Sequence, residues 1–145
     1  MIHGPRRQEY AERYDAAFQA SGLVDGGFIT LPKPVWKEEF IEYSSVSNPK
    51  IQPLNSHYHI YNQHVIATPY RDELKSYLME KDIGTEIYYP VPLHIQECFT
   101  DLGYQPGSYL MSEEAAKRKQ ALPIYPELTL EQQEYVVDSI REFFV

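Results

Sequence analysis

The sequence predicts an α+β fold in which a small antiparallel or mixed sheet carries helices packed on one side. Three observations lead to it. Apolar residues recur at helical spacing near both ends of the chain; two runs rich in β-formers flank a central helical pattern; and the last helix opens on a capping signal. The chain has 145 residues, of which 43% are hydrophobic, enough for one domain around one core.

Residues 4–20 form the first element. Tyr10, Tyr14, Ala17 and Phe18 fall on one helical stripe, Pro5 suits a first turn and Gly22 stands where the helix should stop. Between residues 21 and 56, seven glycines and prolines, from Gly22 to Pro53, interrupt every candidate element except a short run at residues 28–31. Connections beyond about 15 residues are uncommon in compact domains. This one is expected to be functional or to pack on something outside the sequence.

Residues 58–67 lack Gly and Pro and favour a strand. Leu74, Tyr77 and Leu78 predict a helix over residues 71–81, and residues 85–89 read as a second strand stopped by Pro90 and Pro92, which cannot donate to a ladder. A short helix is expected over residues 95–102, ending at Gly103, and another from Ser112 to about Ala121. The final helix is the best marked. Thr129 and Gln132 have capping-box spacing, and Val136, Ile140, Phe143 and Phe144 define its buried face.

Charge and composition exclude several classes. A net charge of −8 repels phosphate backbones, and the longest Lys/Arg run is Arg6–Arg7, so nucleic acid is not an expected partner. No apolar run reaches the roughly 20 residues needed to span a bilayer, so no membrane partner is expected either. A single cysteine, Cys98, permits no internal disulfide, and residues 1–7 carry no secretory pattern; a reducing cytoplasm fits best.

His57, His59 and His64 raise the question of a metal. The first two share one face of the predicted strand, but His64 falls on the other and no carboxylate is near in sequence, so no metal site is predicted. Cys98, between Ile95 and Leu102 on a predicted helix, reads as a small buried hydrophobe rather than a nucleophile.

The stretch from Gly84 to His94, Gly-Thr-Glu-Ile-Tyr-Tyr-Pro-Val-Pro-Leu-His, is more informative. Adjacent tyrosines at a strand end project to opposite faces, so one can pack inward while the other offers its hydroxyl, and the prolines fix where His94 points. Such donors at a loop mouth suit a sugar or a phosphate. Taken alone, packing accounts for the pair better, because the chain has 13 tyrosines.

Several segments in order resemble DegT/DnrJ/StrS-type sugar aminotransferases. They are Tyr61-Asn-Gln-His-Val-Ile, Arg71-Asp-Glu-Leu, Ile83-Gly-Thr-Glu-Ile-Tyr-Tyr-Pro-Val-Pro-Leu-His-Ile-Gln-Glu, Leu102-Gly-Tyr, Ser112-Glu-Glu-Ala and Leu122-Pro-Ile-Tyr-Pro-Glu-Leu-Thr. Gly4-Pro-Arg-Arg-Gln-Glu-Tyr-Ala-Glu-Arg-Tyr matches the helix leading into that family's small domain. The resemblance implies residues 1–22 as a leading helix and residues 23–145 as the carboxy-terminal small domain of an aspartate-aminotransferase-type fold. It implies a dimeric enzyme that uses pyridoxal phosphate to transfer an amino group to a keto-sugar attached to a nucleotide.

By the same comparison the aldimine lysine, the acid for the pyridinium nitrogen and the phosphate cradle belong to a large domain preceding the matched region. None of Lys33, Lys37, Lys50, Lys75, Lys81, Lys117 or Lys119 lies in a segment like the aldimine motif. The chain alone is therefore expected to bind no cofactor and to lack catalytic residues, with a separate large domain as its partner. Tyr88, Tyr89 and His94 become the substrate-contact candidates. Ala67, Leu110-Met111, Arg118-Lys119-Gln120 and a long segment at residues 34–55 depart from the family pattern and point to a specialised or decayed copy. Three classes follow: part of an aminotransferase, a sugar-nucleotide-binding module without catalysis, and an inactive remnant.

Overall fold

A computed structural model describes residues 3–32 and 60–145. Helix α1 (His3–Ala20) is followed by strand β1 (His64–Ala67), helix α2 (Arg71–Glu80), two 3₁₀ turns (Leu93–Ile95 and Glu97–Leu102), helix α3 (Leu110–Arg118), strand β2 (Lys119–Leu122) and helix α4 (Leu130–Phe144). The two strands pair antiparallel, with His64 opposite Leu122 and Ala67 opposite Lys119. Single bridges extend the sheet on both sides, Thr30 to Ala67 and Glu86 to Ala121.

The register assigns the two faces. His64 and Ile66 lie opposite Leu122 and Gln120, and all four are buried. This face meets Tyr14 and Phe18 of α1, Leu74 and Leu78 of α2, and Val136, Val137 and Ile140 of α4 in one hydrophobic core. The alternate residues, Val65, Lys119 and Ala121, occupy the opposite face. That face is overlain by the segment after α2 and by α3.

Local chemistry explains the helix ends. The Thr129 hydroxyl accepts from the Gln132 amide at 3.2 Å and the Gln132 side chain accepts from the Thr129 amide at 2.9 Å, the reciprocal capping that the sequence predicts. Val136 and Ile140 are buried as expected, whereas Phe143 and Phe144 are only partly covered. Two phenols tie α1 across the molecule: Tyr10 donates to the Pro126 carbonyl and Tyr14 to the Pro123 carbonyl, each at 3.0 Å. Burial, with Tyr125 adding to it, pushes the Tyr14 hydroxyl above the usual phenol range.

Four expectations are corrected. The first strand begins at His64, because Tyr61 takes a left-handed φ of 45° that breaks an extended run; residues 58 and 59 lie outside the described residues. The segment at residues 85–89 contributes only the Glu86 bridge, since the Ile87 amide turns to the Glu86 carboxylate at 2.9 Å instead of a ladder partner. The helix expected to reach Ala121 ends at Arg118. Lys119 is already extended, and residues with good helix propensity form β2 because pairing with β1 buries Gln120 and Leu122. The single short helix expected at residues 95–102 is split by an extended Gln96 into two 3₁₀ turns, the second closed as expected by Gly103, at a φ of 73°, a left-handed stop suited to glycine.

Ile140 is wholly buried at the meeting of α1, α2 and α4. Ile140→Ala should lower stability by about 2–5 kcal/mol, read as a shifted urea midpoint with an unchanged slope.

Candidate functional site

The site lies on the face of the sheet opposite the core. A cavity of about 450 Å³ is floored by Gln63 and Val65 beside β1 and by Lys119 and Ala121 of β2. Residues 86–89 and 91–93 form one wall; Ser112, Ala115 and Ala116 of α3 form the other. A second hollow of about 350 Å³ lies along the same segment, between Tyr88, Tyr89, Val91 and the 3₁₀ residues Ile95 and Glu97. Residues 88–93 are thus a partition, with Tyr88, Tyr89 and Val91 lining a hollow on either side.

The partition is anchored at both ends. At its start Glu86 exchanges two backbone hydrogen bonds with Ala121, at 3.1 and 2.8 Å, and Gln120 donates to the Thr85 hydroxyl at 2.7 Å. Past its end, the Gln96 side chain donates to the Val91 carbonyl at 3.2 Å, and His94 Nε2 lies 3.0 Å from Glu113 Oε1. Glu113 Oε1 also accepts from the Gly107 amide at 2.8 Å and, more weakly, from the Tyr109 amide at 3.4 Å. Gly107 adopts a φ of 94°, which a side chain would strain. The Tyr109 ring meets His94 edge-on at 4.9 Å, and Tyr104 meets Tyr109 at 5.2 Å.

The three sequence candidates are placed differently. Tyr88 and Tyr89 line both hollows and are 51% and 71% exposed, so neither packs inward as the alternation rule anticipates. The His94 side chain is only 8% exposed and lines neither hollow; its Nε2 is taken by Glu113. Sequence reasoning missed Glu113, although Ser112-Glu-Glu-Ala was among the matching segments, because its partner lies 19 residues away across two 3₁₀ turns.

Of the other histidines, His57 and His59 lie outside the described residues. His64 is buried against the Tyr14 ring, and its Nε2 lies 3.0 Å from Asp15 Oδ1, a carboxylate that α1 brings from 49 residues away. Among the described residues no group of three metal-ligating side chains is present. Cys98 is exposed rather than buried, because the 3₁₀ stretch holding it presents no face to the core. Among the described residues no helix is long and apolar enough to cross a membrane.

The two antiparallel strands thus carry α1, α2 and α4 on one face and, on the other, an aromatic-walled hollow beside α3. The chain belongs to the DegT/DnrJ/EryC1/StrS aminotransferase family, whose sequence model matches residues 32–141. It is 47% identical over 91 residues to the pleiotropic regulatory protein of Geobacillus stearothermophilus, covering 63% of this chain and 24% of that protein. It is 35% identical over 85 residues to the dTDP-3-amino-3,4,6-trideoxy-alpha-D-glucose transaminase of Micromonospora megalomicea subsp. nigra, covering 58% of this chain and 23% of the relative. Streptomyces venezuelae DesV, solved in complex with a ketimine intermediate, superposes on 97% of this chain with a TM-score of 0.69 at 27% identity, over 31% of its own length. The chain spans about a quarter of the length of these curated relatives.

Enzymes of this family use pyridoxal phosphate. A Schiff-base lysine works from enclosed, desolvated surroundings beside an acid for the ring nitrogen. Among the described residues, Lys81 is bound to Glu142 at 2.7 Å, Lys117 lies 4.0 Å from Glu114 and Lys75 lies 3.9 Å from Glu86. Lys119 lines the cavity but is exposed to solvent. These residues do not fit the cofactor; Lys33, Lys37 and Lys50 lie outside the described residues.

Two predictions follow from the polar contacts. Asp15→Ala leaves buried His64 without its Nε2 partner and should cost about 1–3 kcal/mol, measured by urea unfolding. The Gly107 amide, then His94 and the Tyr109 amide, hold the Glu113 carboxyl below the usual carboxylate range. A carboxylate with a depressed folded pKa stabilises fully above its unfolded value of about 4.3 and loses that contribution as pH falls through the folded value. The near-UV dichroism of Tyr104 and Tyr109 should therefore hold from neutrality into the ordinary carboxylate range and fall only below it.

Proposed function

We propose that this chain is the carboxy-terminal small domain of a pyridoxal-phosphate-dependent aminotransferase acting on a nucleotide-linked keto-sugar, with residues 1–22 as its leading helix and residues 23–145 as the domain proper. The observation that carries the reading is the coverage: aminotransferase structures account for 97% of this chain while it accounts for 31% of theirs. In this reading the lysine, the acid and the phosphate cradle come from a large domain outside this sequence, in a cytoplasmic enzyme that works as a dimer. Tyr88, Tyr89 and His94 form the substrate side. The two phenols offer hydroxyls to the hollows, and His94 fixes the direction of the segment that carries them. Neither role moves a proton; both orient the sugar nucleotide for chemistry done elsewhere.

A sugar-nucleotide-binding module without catalysis is the second reading. It draws on the 47% identical relative, which is named a regulatory protein.

Calorimetric titration of the chain with dTDP-glucose should give saturable binding. Each of Tyr88→Phe and Tyr89→Phe should weaken it by about 1 kcal/mol, or about fivefold in Kd. Supplied with pyridoxal phosphate, glutamate and a keto-sugar nucleotide, the chain alone should make no amino-sugar, and adding the lysine-bearing domain should restore turnover. Absence of binding at millimolar dTDP-glucose, or turnover by the chain alone, would sink the first reading. Binding without restored turnover favours the second.

A further inference from the structure

Glu113 stands behind the cavity rather than in it. Its helix neighbours Ser112, Ala115 and Ala116 line the hollow, as does Leu93 beside its partner His94, but Glu113 and His94 do not. One carboxylate oxygen gathers three donors from three places: the imidazole following the partition, and the Gly107 and Tyr109 amides of the turn leading into α3. Oxygen and imidazole are both well shielded, their side chains being 14% and 8% exposed.

Hydrophobic packing cannot supply the same constraint. From the partition through the start of α3 most large apolar side chains lie open to solvent, among them Leu93 at 60%, Leu102 at 62%, Leu110 at 68% and Met111 at 85%. A segment with so little buried apolar surface is held by its directional contacts. At the start of the partition these are the bonds from Glu86 and Thr85 to β2. Beyond it, the hub at Glu113, with the Tyr109 ring against His94, ties it to α3.

We propose that Glu113 is a positioning residue: by gathering His94 and the two turn amides it holds the partition of residues 88–93 against α3, and so sets the shape of the hollow that receives the sugar nucleotide. The partition's role as a substrate wall rests on the functional reading above; the contact that holds it does not. Glu113 touches no ligand in this scheme. A glutamine in its place keeps an oxygen that can accept the same bonds, whereas alanine removes them all.

The test compares wild type with Glu113→Gln and Glu113→Ala on the same chain, using two readouts. Amide hydrogen exchange at Ile95 and Gln96, whose amides donate to the Pro92 and Leu93 carbonyls, should rise at least tenfold in Glu113→Ala and stay within threefold of wild type in Glu113→Gln, while core amides of α1 and α4 remain unchanged in both. Unaltered exchange at those residues in Glu113→Ala would overturn the inference. So would equal acceleration in both variants, or acceleration spread evenly through the core, which marks general loss of stability. Titration with dTDP-glucose is the second readout, with about a tenfold weaker Kd expected for Glu113→Ala and recovery in Glu113→Gln. If wild type fails to bind that probe, the functional reading falls, and the exchange data still decide whether Glu113 holds the partition.

Discussion

Pairing of β1 with β2 joins residues 64–67 to residues 119–122, and most of what the molecule builds depends on that closure. Everything between the two strands, α2, the partition, the 3₁₀ turns and α3, is a loop whose ends are fixed by four residue pairs. Closing it places His64, Ile66, Gln120 and Leu122 toward three helices and leaves Val65, Lys119 and Ala121 facing the other way. The core stabilises one side. The hollow on the other side exists because the same strands have a second face and the returning loop passes over it.

The two sides are held by different physics. Around Ile66 and Ile140 the stabilisation is apolar burial, non-directional and tolerant of small shifts. Around the partition it is a short set of directional bonds ending on Glu86, Gln120 and Glu113, with apolar groups left in water. Several leucines and tyrosines at residues 88–111 are left exposed, among them Tyr88, Tyr89, Leu93, Leu102 and Leu110.

Helices and their ends were legible because their signals are local. Thr129 with Gln132, the stripe through Tyr14 and Phe18, and Gly103 as a stop each depend on neighbours within one or two turns. What escaped depends on distant partners. Lys119 to Leu122 has the composition of a helix and becomes a strand only because β1 is waiting; Thr85 to Tyr89 has the composition of a strand and loses it to one glutamate side chain. The site was legible to the same degree. Tyr88 and Tyr89 could be singled out as residues, whereas the contacts of His94 with Glu113 and of His64 with Asp15 are set by the tertiary fold.

The tethers on α1 have a consequence for how the chain is made. Tyr14 reaches a carbonyl 109 residues downstream, Tyr10 one 116 residues downstream, and the Tyr10 carbonyl receives Gln133 from 123 residues downstream. On a ribosome, the first helix emerges long before any of these acceptors and donors has been synthesised. Its apolar stripe is covered only once those residues have followed it, and α1 locks in place in a late step in which α4 captures it.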